Sequence, residues 1–150
     1  MIRRPPRSTQ GVSSAASDVY KRQAFYGGMK SVSSSFYFNW GMTYARWGQP
    51  ARAMYYLNRA ARLNTKGAHI YYQRGLLLIA MGQPGSAISD FDKAINANPR
   101  HLEAFLNRSM MHTLVGSYEK AQSDVESAVT LGADRSSLEA RNAELRDQIK

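Results

Sequence analysis

The chain has 150 residues, enough for one ordinary domain, and 43% of them are hydrophobic, enough to build a core. It has no cysteine, which excludes a disulfide framework and thiolate metal sites. The formal charge of +9 points at first to an anionic partner such as nucleic acid, so the position of that charge along the chain decides how much it means.

Residues 1–23 (MIRRPPRSTQGVSSAASDVYKRQ) start with basic residues, but no apolar stretch follows them, so they do not read as a signal peptide. They show neither helical nor strand periodicity. Met1–Thr9 resembles the read-through translation of a sequencing flow-cell adaptor, and Ser13–Gln23 that of a transposase-type library adaptor. On that reading the segment is an artefact to be set aside from the fold, and the natural start of the protein lies elsewhere. The alternative is a natural, basic, disordered arm. The segment holds a net +4, leaving +5 for residues 24–150, and the case for nucleic acid weakens accordingly. Residues 24–33 read as a linker.

From Ser34 onward the sequence repeats without gaps at a period of 34, giving units 34–67, 68–101 and 102–135. Small residues recur at the eighth place of each unit (Gly41, Gly75, Ser109) and glycine at the fifteenth (Gly48, Gly82, Gly116). Alanine recurs at the twentieth (Ala53, Ala87, Ala121) and the twenty-seventh (Ala60, Ala94, Ala128), with an aromatic at the fourth (Tyr37, Tyr71, Phe105). Each half-unit has apolar residues at helical spacing. The fifteenth-place glycines suit a left-handed helix end, and Pro50 and Pro84 follow at the first turn of the next helix, where a missing N–H costs little. Small residues at the eighth and twentieth places let the two helices cross closely, and the twenty-seventh lets the next unit stack. The expected helices are 34–47, 51–63, 68–81, 85–97, 102–115 and 119–131. A seventh, 136–149, carries Leu138, Leu145 and Ile149 on one stripe, with Ser136 or Ser137 as its N-cap.

This pattern resembles the tetratricopeptide repeat (TPR) family across residues 34–135, and the second unit is near the family consensus. The third departs from it with Ser109 for glycine and Ala133 for proline, and Trp40, Arg74 and Arg108 replace the usual leucine at the seventh place. The resemblance implies an all-α, right-handed superhelical solenoid of three helix-turn-helix repeats. Residues 136–150 are then a capping helix, or alternatively the first helix of a further repeat or a coiled-coil tail.

The seventh and twenty-third places vary together: Arg74 with Asp90, Arg108 with Asp124, and Trp40 with Tyr56. Each Arg–Asp pair is expected to bridge its own hairpin, and Trp40 to pack on Tyr56; the alternative is that these arginines bind ligand.

The resemblance also implies that the first helix of each unit lines a concave groove. Its lining places are Ser35, Phe38, Asn39, Met42, Ala45 and Arg46 in the first unit, and His69, Tyr72, Gln73, Leu76, Ile79 and Ala80 in the second. The third unit supplies Glu103, Leu106, Asn107, Met110, Thr113 and Leu114. A row of amides (Asn39, Gln73, Asn107) would lie beside an apolar and aromatic strip, suited to a peptide or helix. The groove lacks the basic cluster that holds a C-terminal carboxylate in some relatives. Leu106, Met110 and Leu114 have a second reading, as core beneath the capping helix. Charge is graded, from +5 in the first unit through +1 to −2 in the third.

Chemistry is not indicated. His69, His101 and His112 have no second metal ligand at helical spacing, no nucleophile motif accompanies them, and there is no phosphate-cradling glycine loop. The longest apolar run, Leu76–Met81, is far below the roughly 18 residues of a membrane span. The expectation is a non-catalytic scaffold for a protein or peptide partner, of bacterial type, with no cofactor and no metal. Nucleic acid is not the expected partner. An RNA-binding helical repeat and a regulatory module of a larger, truncated enzyme are the alternatives.

Overall fold

A computed structural model describes residues 32–149; the segment 1–23 lies outside the described residues. Among the described residues there are seven helices and no strand. They are α1 (Ser34–Arg46), α2 (Pro50–Leu63), α3 (Ala68–Ala80), α4 (Pro84–Ala97), α5 (Leu102–Leu114), α6 (Tyr118–Thr130) and α7 (Arg135–Ile149). The first six pair as hairpins α1–α2, α3–α4 and α5–α6, and each hairpin packs on the next in chain order. The result is an all-α helical repeat.

The hairpin turns are set by the fifteenth-place glycines. Gly48, Gly82 and Gly116 take φ of 66°, 71° and 77°, a region that costs other residues dearly. In each turn the glycine N–H and the next N–H bond back to two orphan carbonyls, for example Gly48 to Ala45 at 3.1 Å and Gln49 to Tyr44 at 2.9 Å. Trp47, Met81 and Val115, expected as last helical residues, therefore fall in the turn. Pro50 and Pro84 are themselves the first helical residues, one position earlier than expected, because a proline's missing N–H and fixed φ suit that position.

A fourth such turn ends α6. Gly132 (φ 103°) stands where the earlier units have Asn64 and Asn98. Those asparagines cap the chain differently: each side-chain oxygen accepts an N–H two residues on, from Lys66 at 3.2 Å and Arg100 at 3.1 Å. The N-cap of α7 differs from expectation too. Asp134, not Ser136 or Ser137, does the capping: its carboxylate accepts from the Ser137 N–H and the Ser136 hydroxyl, both at 2.8 Å. An ionised carboxylate is a stronger acceptor than a serine hydroxyl, and it lies at the positive end of the helix dipole.

Burial follows the repeat. The twentieth- and twenty-seventh-place alanines are all fully buried, as are Leu57, Phe91 and Val125 at the twenty-fourth place. Leu57 and Phe91 insert where the facing helix has no side chain. A Cβ added at Gly75 would lie 2.6 Å from the Phe91 ring, and one at Gly41 would lie 2.8 Å from Leu57. In the third unit Ser109 brings a Cβ, and the smaller Val125 stands opposite it in sequence register. On α7, Leu138 is buried in one cluster with Val125 and Ala128, against which Leu102, Phe105 and Leu106 pack. Ile149 is exposed, contrary to its expected place on the packed stripe. It occupies the fourteenth place of the repeat register, and Trp47, Met81 and Val115 at that place are exposed as well.

The crossing makes a measurable prediction. Gly75→Ala is expected to destabilise the chain by about 1–3 kcal/mol, through overpacking against Phe91. Gly85→Ala, in the first turn of α4 with open space around its added Cβ, is expected to be neutral or stabilising by up to about 1 kcal/mol. Urea denaturation of the two variants checks the contrast.

Candidate functional site

The first helices α1, α3 and α5 hold every residue of the expected groove, because the period of 34 returns each place to the same helical face. Along α1, Asn39 and Arg46 are exposed, while Phe38 and Met42 are half-buried. On α3, His69 is exposed and Tyr72, Gln73 and Leu76 are half-buried; on α5, so are Asn107 and Met110. Several of these residues meet across units. The Phe38 and His69 rings stand edge to face at 4.9 Å. The Asn107 amide donates to the Tyr72 hydroxyl at 3.2 Å and to the Glu103 carbonyl at 2.8 Å. Tyr72 also lies 4.7 Å from the His101 ring, and burial raises its phenol above the ordinary value. The Asn107–Tyr72 bond links the sixth place of one unit to the fifth of the one before. It was not anticipated, although a donor and an acceptor 35 residues apart in a 34-residue repeat is a readable signal.

The strip is partly core. Phe38, Tyr72, Leu76 and Met110 all pack against the main buried cluster, leaving one side of each free. Thr113, expected to line the groove, is fully buried, and its hydroxyl donates to the Ser109 carbonyl at 3.0 Å. A threonine that bonds its own preceding turn can sit in an apolar interior. Of the three residues with a second reading as core under α7, only Leu106 packs beside Leu138; Leu114 is exposed.

The arginines have a different task. Arg74 donates from Nε and Nη2 to the two Asp90 oxygens at 2.6 and 2.5 Å, and Arg108 does the same to Asp124 at 2.9 and 2.5 Å. Both hairpins are bridged as expected, and Trp40 stacks on Tyr56 at 6.3 Å. Each arginine also reaches backwards. Arg74 Nη1 donates to Asn58 at 2.9 Å, and Arg108 Nη1 to Asp92 at 2.6 Å, both on the second helix of the preceding hairpin. One guanidinium thus ties three helices. The hydrogen bond to Asp90 holds the Arg74 group charged against the cost of its burial.

Two of the bases on α2 are placed differently, over rings. Arg52 lies 5.7 Å from the Tyr44 centroid, and Arg59 lies 5.5 and 5.6 Å from those of Tyr37 and Tyr55. Among the described residues, no group of His, Asp or Glu is arranged to hold a metal ion, and no helix is long and apolar enough to cross a membrane.

The geometry invites comparison with known families. The tetratricopeptide repeat profile matches residues 34–66 and 68–101. The chain thus carries tetratricopeptide repeats. Its third unit, outside the matched residues, nonetheless forms the same hairpin, with Ser109 and Arg108 at the places that depart from the consensus. No curated protein matches the sequence. Among solved structures, this TPR chain is similar to MamA (TM-score 0.68, 24% identity, covering 81% of this chain and 69% of that one). It is also similar to YrrB, described as a TPR protein with an unusual peptide-binding site (0.66, 23%, 89% and 71%). A third is the first TPR of Spaghetti (RPAP3), solved bound to an HSP90 peptide (0.69, 14%, 78% and 93%).

Two outcomes are expected. Asp90→Ala should cost about 3–5 kcal/mol, because it leaves a buried guanidinium unpaired, whereas the double change Arg74→Met with Asp90→Leu should recover most of that. Chemical denaturation of the singles and the double checks the coupling. The second concerns His112, which is buried with no hydrogen bond at Nδ1. Burial pushes its imidazole below the ordinary 6.5; Arg108 and Lys120 act in the same direction, and Asp124 and Asp92 oppose them. Below 6.5 the unfolded chain takes up a proton that the folded chain does not, so stability is full above that pH and falls as the pH drops. It levels off once the folded imidazole also titrates. His112→Gln should flatten the pH 7 to pH 5 dependence of the urea midpoint, and an unchanged slope refutes the assignment.

Proposed function

We propose that this TPR chain is a non-catalytic scaffold whose first-helix face binds a peptide or helical segment of a protein partner. The observation that carries the reading is the pairing of an amide row with an apolar strip. Asn39, Gln73 and Asn107 recur at one place, and Phe38, Tyr72, Met42, Leu76 and Met110 stand beside them with one side free. Asn39 and Gln73 offer donors and acceptors to a main chain, Asn107 offers its oxygen while its N–H groups bond Tyr72 and Glu103, and methionine with aromatic rings makes adaptable apolar pockets. His69 and Arg46 add one titratable group and one base, so the face is close to neutral and ill suited to a phosphate backbone. Peptide complexes among the structural neighbours, the first TPR of Spaghetti (RPAP3) in particular, support a peptide as the kind of ligand. The lack of a lysine and arginine cluster separates this groove from those that hold a C-terminal carboxylate.

Selection from a peptide library, followed by fluorescence anisotropy, tests the proposal. Selected peptides should lose about tenfold or more in affinity with Gln73→Ala plus Leu76→Ala, and nothing with Ser89→Ala on the outer face of α4. Amidation of the peptide's C-terminus should leave the affinity unchanged. Equal binding to the native chain and the groove variant rejects the reading.

A further inference from the structure

The outer face of α2 differs from its counterparts in a way the fold does not require. Arg52, Tyr55, Arg59, Arg62 and Leu63 are all exposed and fall within about 100° of arc on the helix. Lys66 continues the row just past the helix end. At the same places, on and just past α4, the second unit has Ser86, Ser89, Lys93, Asn96, Ala97 and Arg100, and on and just past α6 the third has Lys120, Ser123, Ser127, Thr130, Leu131 and Asp134. Those two helices make the same hairpin and stack as well. The three arginines and the tyrosine of α2 therefore answer to something other than stacking. The first unit contains no acidic residue, and among the described residues none of these bases has a carboxylate partner.

The rings prepare the charges. The Arg59 guanidinium lies between Tyr37 and Tyr55, and Arg52 lies against Tyr44, so each fork is held without being neutralised. A guanidinium fixed on an aromatic face keeps its N–H edges free for a bidentate acceptor. Arg74 and Arg108 already bind carboxylates in that way within this chain.

We infer that the outer face of α2 is a second docking surface, independent of the groove, for an acidic peptide segment of a protein partner. Two observations favour carboxylates on a peptide over the phosphates of RNA. Tyr55 and Leu63 are 56% and 54% exposed, and an aliphatic Leu63 at the end of the row has an apolar partner in a peptide but none in a phosphate backbone. One face of Tyr55 is already covered by Arg59, and its ring meets Tyr56 edge-on at 5.3 Å, which limits it as a platform for base stacking. Arg52 and Arg59 are two turns apart, about 10.5 Å, and Arg59 and Arg62 about one turn. A helical partner would match this with glutamates at the same spacing and a leucine between them.

The test uses the full chain and three fluorescein-labelled probes: a peptide of about fourteen residues with that glutamate and leucine pattern, its lysine-for-glutamate counterpart, and an oligouridylate of similar length. The glutamate peptide should bind saturably and weaken with salt, while the lysine peptide should not bind. Arg52→Gln with Arg59→Gln and Arg62→Gln should cut the affinity by about tenfold or more. Arg59→Lys, which keeps the charge and loses the fork, should fall between. Gln73→Ala in the groove should change nothing, so failure here leaves the groove reading standing and the reverse also holds. Exposed substitutions of this kind should leave the far-ultraviolet spectrum and unfolding midpoint unmoved. Absence of saturable glutamate-peptide binding overturns the proposal, as does binding that the triple variant retains. Tighter binding of oligouridylate through the same three arginines overturns it too, and assigns the surface to nucleic acid.

Discussion

The whole arrangement depends on how closely two helices cross at the eighth place. With no side chain on Gly75, the Phe91 ring reaches the backbone of α3 and is entirely buried, worth about 1.5–3 kcal/mol against exposure. Leu57 does the same at Gly41. A hairpin closed this tightly buries one side only. Its other side offers the fully buried alanines Ala60 and Ala94, small enough for the next hairpin to approach, so each unit finishes its core on its neighbour. The face of first helices that remains open is a consequence of that stacking rather than a separate design.

Apolar stacking alone would tolerate some sliding of one hairpin over the next. Arg74 and Arg108 oppose it, since each guanidinium must meet a carboxylate of its own hairpin and an acceptor of the preceding one at once. The desolvation of these groups offsets much of their attraction, so their main effect is on register. The row of seventh places changes character at both ends. Trp40 starts it, stacked on Tyr56. Asn142, buried on α7, ends it, and Glu126, which stands in register with Asn58 and Asp92, pairs with Arg135 at 2.5 Å instead. That pairing draws the exposed Glu126 carboxyl down to about 2. Glu139 and Arg146 on α7 occupy places that hold Tyr71 and Leu78 on α3; Glu139 is exposed, and Arg146 is half-buried with its guanidinium 4.5 Å from the Tyr118 ring centroid.

Most of the fold was legible because its determinants are periodic. Glycine and alanine at fixed places announce turns and crossings whatever lies between them, and the covariation of Arg74 with Asp90 announced a hairpin bridge. What escaped reading depended on geometry between units. The backward reach of Arg74 to Asn58 joins side chains on two hairpins and shows in sequence only after the register is extended across the unit boundary. Two serines directly after Asp134 mask it as the cap in the sequence. Thr113 was placed in the groove by its register, although a polar residue can be buried where its own helix satisfies it. Ile149 was assigned by apolar spacing along one helix, when the fourteenth place in every earlier unit showed where it would lie.

A repeat contains its own comparison. Whatever stacking demands must recur, and whatever does not recur is free to serve something else. The fully buried Ala53, Ala87 and Ala121 belong to the first kind. The outer face of α2 and the seventh place of α1 belong to the second: where Arg74 and Arg108 turn inward to carboxylates, the first unit has Trp40 stacked on Tyr56 and its arginines outside, Arg52 and Arg59 against tyrosine rings. Burying an arginine in the first unit would have required an acid on α2, and α2 has none. The first unit thus fills its buried place with rings and keeps all five of its bases, Arg46, Arg52, Arg59, Arg62 and Lys66, exposed.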